Sequence, residues 1–467
     1  MADQANLHIA LFPWLAFGHI LPFLQFAISL AQRNHRISFI STPKNLQRLP
    51  KIPSNLSSLI NLIPLPFPTI ENLPPNAEST SDITTPDQGQ YIYQAYDKLQ
   101  EPLTEFLEES RPNWIIYDYA AYWLPPIAAK LHIPGIFFNI FNASMAAFYG
   151  SVSEMTREDG GSRLLPNDFL VPPKWIPFPS DLCLHPHEVP KRKRIASGES
   201  PVYRMGCAIQ GCEFMAVRSC NEFEDEYLSF LENDLYKKPI IPIGLLPPPK
   251  IPTPIQENGR EQNWLAIKDW LDKQSERSVV YIAFGSESAL NHQQVTELAH
   301  SLEMSKLPFF WVVRQPIGVD DKASVFPPGF EDRVKNRAYV TLDWVPQLNI
   351  LAHPSIGGFL SHSGWSSIVE GLAFGLTMIL LPLSPPQALN ARLLEGKKIG
   401  LEIPRDEQDG LFTSDSVEEC LRTAMVGEEG EELRAKAQEM KMVFGDEERH
   451  DRYMDEFDEY LRKYKCE

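Results

Sequence analysis

The stretch from Trp344 to Gln387 constrains the fold more than any other part of the chain. An apolar run at 356–360 leads into a polar turn at 361–367, and apolar residues then recur at helical spacing over 368–374. This order predicts a buried strand, a tight turn and a helix. The N-terminus of such a helix binds anions through its free N–H groups and its dipole. Nearby Ser and His side chains can donate further hydrogen bonds, so we predict a phosphate site here.

Three other side chains of this stretch suit the rest of a nucleotide. Trp344 offers a planar indole on which a nucleobase can stack, and Gln347 offers an amide for its polar edge. Glu370 lies in the first turns of the predicted helix, where its carboxylate can accept hydrogen bonds from a ribose diol. We therefore predict a complete nucleotide site between Trp344 and the end of this helix.

The rest of the chain alternates between short apolar runs and segments of helical period. This alternation predicts an α/β doubly wound architecture in two domains, for which 467 residues suffice. A Pro-rich segment, 242–261, is predicted to link an N-terminal domain (1–241) to a C-terminal domain (262–447), with a last helix in 448–467. Residues 53–88 are predicted to be irregular connections, and 90–109 a single helix.

Composition and charge exclude several other classes of protein. A net charge of −18 argues against a nucleic-acid partner and an anionic membrane surface, and the basic run at 191–194 is typical of a solvated loop. The six cysteines lack metal-ligand spacing, which favours a reducing, cytoplasmic environment. We expect no signal peptide, because the N-terminus lacks a basic region and Pro13 interrupts its apolar run. We expect no integral membrane segment, because no apolar stretch approaches the roughly 20 residues that span a bilayer.

The Trp344–Gln387 stretch also resembles a known signature. Its length of 44 residues and many of its positions closely resemble the signature box of plant family 1 UDP-sugar-dependent glycosyltransferases. Flanking segments resemble the branch of sugar-on-sugar transferases and rhamnosyltransferases. The matching positions are Trp344, Pro346, Gln347, Leu351, His353, Gly357, Phe359, His362, Gly364, Trp365, Ser367, Glu370, Gly375, Pro382 and Gln387.

The resemblance implies a fold and a donor site. The fold would be GT-B, with two Rossmann-like domains facing across a cleft and the helix of 448–467 packing back on the N-terminal domain. Trp344 would stack on uracil, Gln347 would hold the base and ribose, and Glu370 would bind ribose hydroxyls. His362 and Ser367 would hold the diphosphate, and Trp365 and Gln387 would face the sugar. The other expected donor-site residues are Ser286, Val345, Gly364 and Ser366.

Three positions depart from the family pattern. Ser363 stands where the family usually has Cys, and Ser366 replaces the usual Asn. Pro386 replaces the acid that normally accepts hydrogen bonds from sugar hydroxyls, and a lost bond to a charged group costs on the order of 1.5–3 kcal/mol. Pro386 would weaken donor binding or select another sugar, unless a nearby residue or water compensates.

A catalytic pair is expected at two strand ends of the N-terminal half. His19 stands where the first loop meets the first helix, and Asp118 directly follows the predicted strand 114–117. Sequence alone does not bring them together, but by resemblance His19 is the base and Asp118 its orienting carboxylate. Loops leaving these strand ends would hold the acceptor, and the candidates are Trp14, Phe17, Tyr119, Trp123, Phe141 and Asn142.

The expected function is inverting transfer of a sugar from a UDP-sugar. UDP-glucose leads as donor because the family associates Gln387 with glucose, and UDP-rhamnose is the alternative. The acceptor would be a hydroxyl of a small plant metabolite, such as a flavonoid or terpenoid, or of its glycoside. No Asp-x-Asp pair is present, so we expect metal independence. We also expect a monomer that needs no cofactor besides the UDP-sugar co-substrate. An alternative of another class is a catalytically weak nucleotide-sugar or small-ligand binding protein.

Overall fold

Two parallel sheets organise the chain, one in each of two units. The computed structural model describes residues 6–83, 85–157, 163, 165–189, 199–249, 260–285, 290–315 and 325–464. The first unit comprises Met1–Leu164, Lys191–Leu246 and Glu448–Glu467. The second comprises Leu165–Pro190 and Pro247–Glu447. Each unit is therefore assembled from segments that are not consecutive in sequence.

The first unit is built on a sheet of parallel strands. These are β1 His8–Phe12, β2 Arg36–Ser41, β3 Ile60–Pro64, β4 Trp114–Tyr117, β5 Gly135–Asn139, β6 Phe214–Val217 and β7 Ile240–Pro242. Their order is β3-β2-β1-β4-β5-β6-β7. Every residue of β1, β4, β5 and β6 is buried, as expected for continuous apolar runs in a sheet covered on both faces. Neighbouring β1 and β4 place Phe12 opposite Tyr117, so both strands end at the same edge.

Helices flank this sheet and connect its strands. They are α1 Phe17–Gln32, α2 Pro43–Gln47, α3 Gly89–Asp97, α4 Gln100–Ser110, α5 Leu124–Lys130, α6 Ala143–Tyr149, α7 Val152–Met155, α8 Pro201–Gly211 and α9 Asn221–Phe230. A π-helical turn, Leu231–Tyr236, follows α9. Helix α1 leaves the end of β1, so its first turn lies at the carboxyl edge of the sheet, where α/β proteins bind ligands.

The second unit repeats the doubly wound pattern. Its strands are β8 Val279–Ala283, β9 Phe309–Val312, β10 Ala338–Thr341, β11 Ile356–Ser361, β12 Thr377–Leu380 and β13 Gly400–Glu402, in the order β10-β9-β8-β11-β12-β13. Its helices are α10 Arg260–Asp272, α11 His292–Ser305, α12 Phe330–Val334, α13 Gln347–Leu351, α14 Trp365–Ala373, α15 Pro385–Gly396, α16 Ser414–Met425 and α17 Glu431–Phe444. Strand β11, the turn and α14 occupy the places that the Trp344–Gln387 stretch predicted.

The last helix, α18 (Glu447–Tyr464), contributes to the core of the first unit. Phe457 and Leu461 are fully buried in it. The Phe457 ring lies 5.2 Å from that of Phe26 and 6.0 Å from that of Phe214, measured between centroids. An apolar face of α18 thus completes a core that the N-terminal strands begin.

The structure corrects two predictions about secondary structure. Residues 53–88 contain β3, an edge strand in which only Ile60 is buried, so it lacks the buried apolar run by which the central strands were recognised. The single helix predicted for 90–109 is wrong, because it is divided into α3 and α4. Pro102, in the first turn of α4, lacks an N–H and its ring crowds the carbonyl of residue 98.

The domain boundaries also differ from those expected. Leu165–Pro190 groups with the second unit, although the sequence placed it in a continuous N-terminal domain of 1–241. Ion pairs from Glu188 to Arg392 and Arg405 hold this segment there. The basic run 191–194 and half of the linker, residues 250–259, lie outside the described residues. Within the described part of the chain, no helix is both long and apolar enough to cross a membrane.

Candidate functional site

His19 and Asp118 meet at the carboxyl edge of the first sheet. His19 lies in the first turn of α1, after β1, and Asp118 follows β4. The two strands are neighbours, which brings residues 99 positions apart to a distance of 2.8 Å between His19 Nδ1 and Asp118 Oδ2. Their side chains are 12% and 2% exposed, so the pair is largely shielded from water. The structure therefore brings together the two residues predicted to be catalytic.

Hydrogen bonds fix the orientation of the Asp118 carboxylate. The Trp14 N–H donates to Oδ2 at 3.0 Å, and the Tyr119 N–H donates to Oδ1 at 2.8 Å. A carboxylate held in this way accepts the Nδ1 proton of His19. The other ring nitrogen, Nε2, then carries the lone pair that can accept a proton from a bound hydroxyl.

Aromatic side chains surround the His19 ring. The rings of Tyr119 and Phe141 lie 5.6 Å and 5.4 Å from it. Trp14 is 3% exposed and stacks at 4.3 Å on Tyr93, whose hydroxyl is 2.5 Å from that of Tyr119. The surroundings of His19 are thus apolar rings with a pair of phenolic hydroxyls. Burial raises the pKa of Tyr93 to about 12, so both hydroxyls stay protonated at neutral pH.

An ion pair between a buried arginine and a partly exposed aspartate, near these rings, was not predicted. Arg204 on α8 is 1% exposed, and its two Nη atoms each donate to the Asp97 carboxylate at 2.6 Å. Arg204 Nη1 also donates to the Ala120 carbonyl at 3.1 Å, which ties α3 and α8 to the loop carrying Asp118. The tyrosine-rich sequence of α3 could have indicated an aromatic lining that includes Tyr93, but no local signal pairs Asp97 with a residue 107 positions away.

Three acceptor candidates have other surroundings. Trp123 is 7% exposed and donates from Nε1 to Asp97 Oδ1 at 3.1 Å, within the buried core. Asn142 is 1% exposed and caps α6, where it accepts from the Met145 N–H at 2.9 Å. Phe17 is half-buried, with the Arg48 guanidinium 5.9 Å from its ring centroid. Trp123 and Asn142 therefore have structural partners, and of the six candidates Trp14, Tyr119 and Phe141 form the aromatic surroundings of His19.

In the second unit, the turn before α14 has the geometry of an anion site. Gly364 is the N-cap of α14 and has no side chain, so no N-cap side chain accepts hydrogen bonds from the first N–H groups of the helix. His362 precedes it, and burial lowers the pKa of its imidazole to about 4. Its buried Nδ1 has no hydrogen-bond partner among the described residues. A neutral imidazole donor and a helix N-terminus together suit a diphosphate.

Two glycines leave room for the His362 ring. Gly285 has a φ of +74°, and a Cβ built there would lie 2.8 Å from His362 Cε1. A Cβ on Gly364 would lie 2.6 Å from His362 Nε2. Any other residue at these two positions would displace the ring, so the close approach requires glycine.

The predicted nucleoside residues also lie near one another. Gln347 opens α13 and donates from Nε2 to Glu370 Oε2 at 2.7 Å. The Tyr281 hydroxyl donates to Gln347 Oε1 at 3.3 Å. Trp344, three residues earlier, is 54% exposed, a large exposure for an indole and one that suits stacking on a planar ligand.

The turn between β12 and α15 carries Gln387. Its Oε1 accepts a hydrogen bond from the Leu383 N–H at 2.8 Å, which closes the turn. Pro385 and Pro386 are the first two residues of α15, where the absence of an N–H is tolerated. Pro386 is thus compatible with the start of α15. It has neither the carboxylate that the family usually carries at this position nor a backbone N–H.

The remaining donor-site candidates divide by burial. Trp365, Val345 and Ser367 are 4%, 7% and 8% exposed. The Trp365 ring packs against Phe444 of α17 at 6.2 Å, so the structure gives it a core contact. Ser366 and Gly364 are partly exposed at the start of α14. Ser286 lies outside the described residues. In the described ranges, no group of three or more His, Cys, Asp or Glu side chains could hold a metal ion.

Comparison with known proteins gives concordant matches. A family profile described as UDP-glucoronosyl and UDP-glucosyl transferase matches residues 256–432. The chain is 48% identical to UDP-glycosyltransferase 91C1 of Arabidopsis thaliana, over 99% of this chain and 98% of that one. It is 40% identical to soyasaponin III rhamnosyltransferase of Glycine max, over 99% and 97%.

A solved structure shares the fold. It is that of Glycyrrhiza uralensis UGT73P12, complexed with glycyrrhetinic acid 3-O-monoglucuronide. Its TM-score is 0.76, at 22% identity over 99% of this chain and 97% of that one. The likeness supports the GT-B class for the two parallel-sheet units.

Proposed function

Because the chain belongs to the plant family 1 UDP-glycosyltransferases, in the branch of sugar-on-sugar and rhamnosyl transferases, we propose that it transfers glucose from UDP-glucose to a hydroxyl of a small plant metabolite or its glycoside. It is an enzyme that moves a sugar from a UDP-sugar. The observation that carries the proposed chemistry is the 2.8 Å bond between His19 and Asp118, because it prepares a general base.

His19 and Asp118 account for the proton transfer that the reaction needs. His19 Nε2 accepts the proton of the acceptor hydroxyl as its oxygen attacks the anomeric carbon. The bond from that carbon to the diphosphate oxygen breaks, and UDP leaves with the electron pair. Attack opposite the leaving group inverts the anomeric centre. Asp118 stabilises the imidazolium that forms and keeps the ring oriented, as carboxylates do in hydrolase triads.

The donor is held in the second unit. Trp344 stacks on uracil, while Gln347 and Glu370, joined at 2.7 Å, hold the ribose. The N-terminus of α14, His362 and Ser367 neutralise the diphosphate. Because these donors spread the leaving-group charge over N–H groups, we propose that the reaction needs no metal ion. Activity that persists in EDTA would agree, and activity lost in EDTA and restored by Mg²⁺ would contradict it.

UDP-rhamnose is the second candidate donor. Pro386 removes the acid that the family uses to bind sugar hydroxyls, and a relative 40% identical to this chain is a rhamnosyltransferase by name. For the acceptor, the aromatic rings and paired phenols near His19 favour a planar or ring-shaped molecule with hydroxyl groups, such as a flavonoid or terpenoid glycoside. The six cysteines have the spacing of neither a metal site nor a disulfide framework, which supports the proposal of a cytoplasmic enzyme. We also propose that it acts as a monomer.

The catalytic proposal is tested by three variants. His19→Ala should abolish transfer while leaving UDP binding unchanged, because the base is lost and the donor site is in the other unit. Asp118→Asn should also lower kcat strongly, since an amide can fix the wrong tautomer. His300→Ala, at an exposed position of α11, is the control and should retain activity. Unchanged turnover in His19→Ala would remove His19 as the base.

The donor is identified by calorimetry and turnover with UDP-glucose, UDP-rhamnose and UDP-xylose. We expect one preferred donor that turns over with phenolic or glycosylated acceptors. Pro386→Asp should then raise kcat/KM for UDP-glucose relative to UDP-rhamnose, because it restores a hydrogen-bond acceptor near Gln387. Pro385→Asp adds the same charge one residue earlier and is the matched control. An unchanged ratio in Pro386→Asp would mean that another group compensates.

A further inference from the structure

A segment outside the predicted donor stretch braces the donor site of the second unit. This segment, Leu165–Pro190, is called the strap here. Near its end a 3₁₀ turn, Pro186–Glu188, directs the Glu188 side chain inward, where it is 4% exposed. The His185 N–H donates to Glu188 Oε2 at 2.8 Å and fixes the carboxylate on its own turn.

Glu188 joins two arginines of the Rossmann-like core. Arg392 on α15 donates to Glu188 Oε2 at 3.1 Å, and Arg405 after β13 donates to Oε1. Glu402 at the end of β13 pairs with both arginines. All four side chains are at most 8% exposed, and their two negative and two positive charges balance. A buried network of this kind specifies one arrangement because each missing partner leaves a charge unpaired.

The network is connected directly to the turn that presents Gln387. Arg405 Nη1 donates to the Pro382 carbonyl at 2.9 Å, and Pro382 lies in the turn between β12 and α15. Arg392 lies on α15 itself, five residues after Gln387. Glu188 therefore binds Arg405, which donates a hydrogen bond to the turn, and Arg392, which lies on the helix after the turn.

The turn needs an external brace because of its composition. Pro382, Pro385 and Pro386 have no N–H, so the turn can form few backbone hydrogen bonds of its own. The Leu383 bond to Gln387 closes it locally, but that bond engages the very side chain that should meet the sugar. Arg405 supplies a contact that does not depend on Gln387.

We propose that Glu188 is a positioning residue for donor-sugar recognition, acting through Arg405 and Arg392 on the turn and helix that carry Gln387. Both Glu188 oxygens accept hydrogen bonds from the protein, so Glu188 acts through the arginines rather than on the sugar. The proposal rests on the proposed function, in which Gln387 faces the donor sugar. The proposal predicts that a change at Glu188 alters the preference for one donor sugar over another and leaves the affinity for UDP unchanged.

The test uses the full chain and three variants. Glu188→Gln keeps the shape of the side chain and removes its charge. Arg405→Lys keeps the charge but loses the fork that donates to Glu188 and Pro382 together. Glu303→Gln is the matched control, because Glu303 pairs with Arg333 in the same unit but on α11 and α12. For each protein, thermal unfolding, the Kd for UDP, and kcat/KM for UDP-glucose, UDP-rhamnose and UDP-xylose are measured.

We expect both network variants to bind UDP like the wild type and to change the ratio of kcat/KM between the two best donors by about tenfold, since a displacement of order 1 Å has large kinetic effects. Glu303→Gln should keep the wild-type ratio. An unchanged ratio in a folded network variant would overturn the proposal. Should Glu188→Gln not fold, Arg405→Lys decides. A wild type that binds UDP but transfers no sugar from any donor would instead overturn the proposed function.

Discussion

At the residue scale, His362 links the donor site to the stability of the fold. Burial lowers its pKa from the ordinary 6.5 to about 4. Between these two values the unfolded chain binds more protons than the folded one, so the free energy of unfolding falls as the pH falls through this window. The cost of burying this imidazole is thus smallest above pH 6.5, where the ring is neutral in both states.

A substitution isolates this effect. His362→Asn removes the titrating group, so its free energy of unfolding should depend less on pH between about 4 and 6.5 than that of the wild type. Urea denaturation at several pH values measures this dependence. His300→Asn, on the exposed face of α11, should keep the wild-type slope. Equal slopes for His362→Asn and the wild type would show that His362 is not buried neutral.

Residue-level prediction reached positions marked by a local pattern and missed residues whose partners are distant in sequence. His19, Gln347 and Glu370 stand in recognisable local patterns, and the structure places His19 beside Asp118 and Gln347 beside Glu370. Their roles in the reaction stay predictions. Arg204 and Glu188 were not predicted, because each lies in a segment without periodicity or motif and finds its partner more than 100 positions away. Such pairs depend on the folded chain and leave no local signal.

At the scale of single elements, the passage from β11 through the turn to α14 sets the anion site. Gly364→Ala should raise the Kd for UDP about tenfold, because its Cβ would meet His362 Nε2 at 2.6 Å and overpacking of this kind costs about 1–3 kcal/mol. Calorimetric titration with UDP measures it. Gly89→Ala is the control, since a Cβ there has 4.0 Å of clearance. Wild-type affinity in Gly364→Ala would mean that the ring moves aside freely.

The elements themselves were predictable in proportion to their burial. Central strands such as β4 and β11 are continuous apolar runs, and their observed bounds agree with the predicted ones to within one residue. The edge strands β3, β7 and β13 were missed. Two of them are only three residues long, and the third is exposed at three of its five positions, so hydrogen bonding to a neighbour decides their structure more than local pattern does.

At the scale of the whole molecule, α18 supports the core of the first unit. Phe457→Ala should lower the free energy of unfolding by about 3–5 kcal/mol, the usual cost of emptying a buried aromatic site. Chemical denaturation followed by tryptophan fluorescence would detect the loss. Glu459→Ala, on the exposed face of the same helix, should cost little. A small effect of Phe457→Ala would mean that the first unit is complete without α18.

The interleaving of the two units has a consequence for biosynthesis. Along the chain the order is first, second, first, second, first unit, and α18 is translated after the other segments of both units. Synthesis proceeds at about 5–20 residues per second. The N-terminal strands are therefore already made, but lack α18, while some 200 residues of the second unit are synthesised. The second unit can therefore close first, although it is begun later. Until residues 448–467 emerge, the unit that carries His19 exposes an apolar surface that chaperones would recognise.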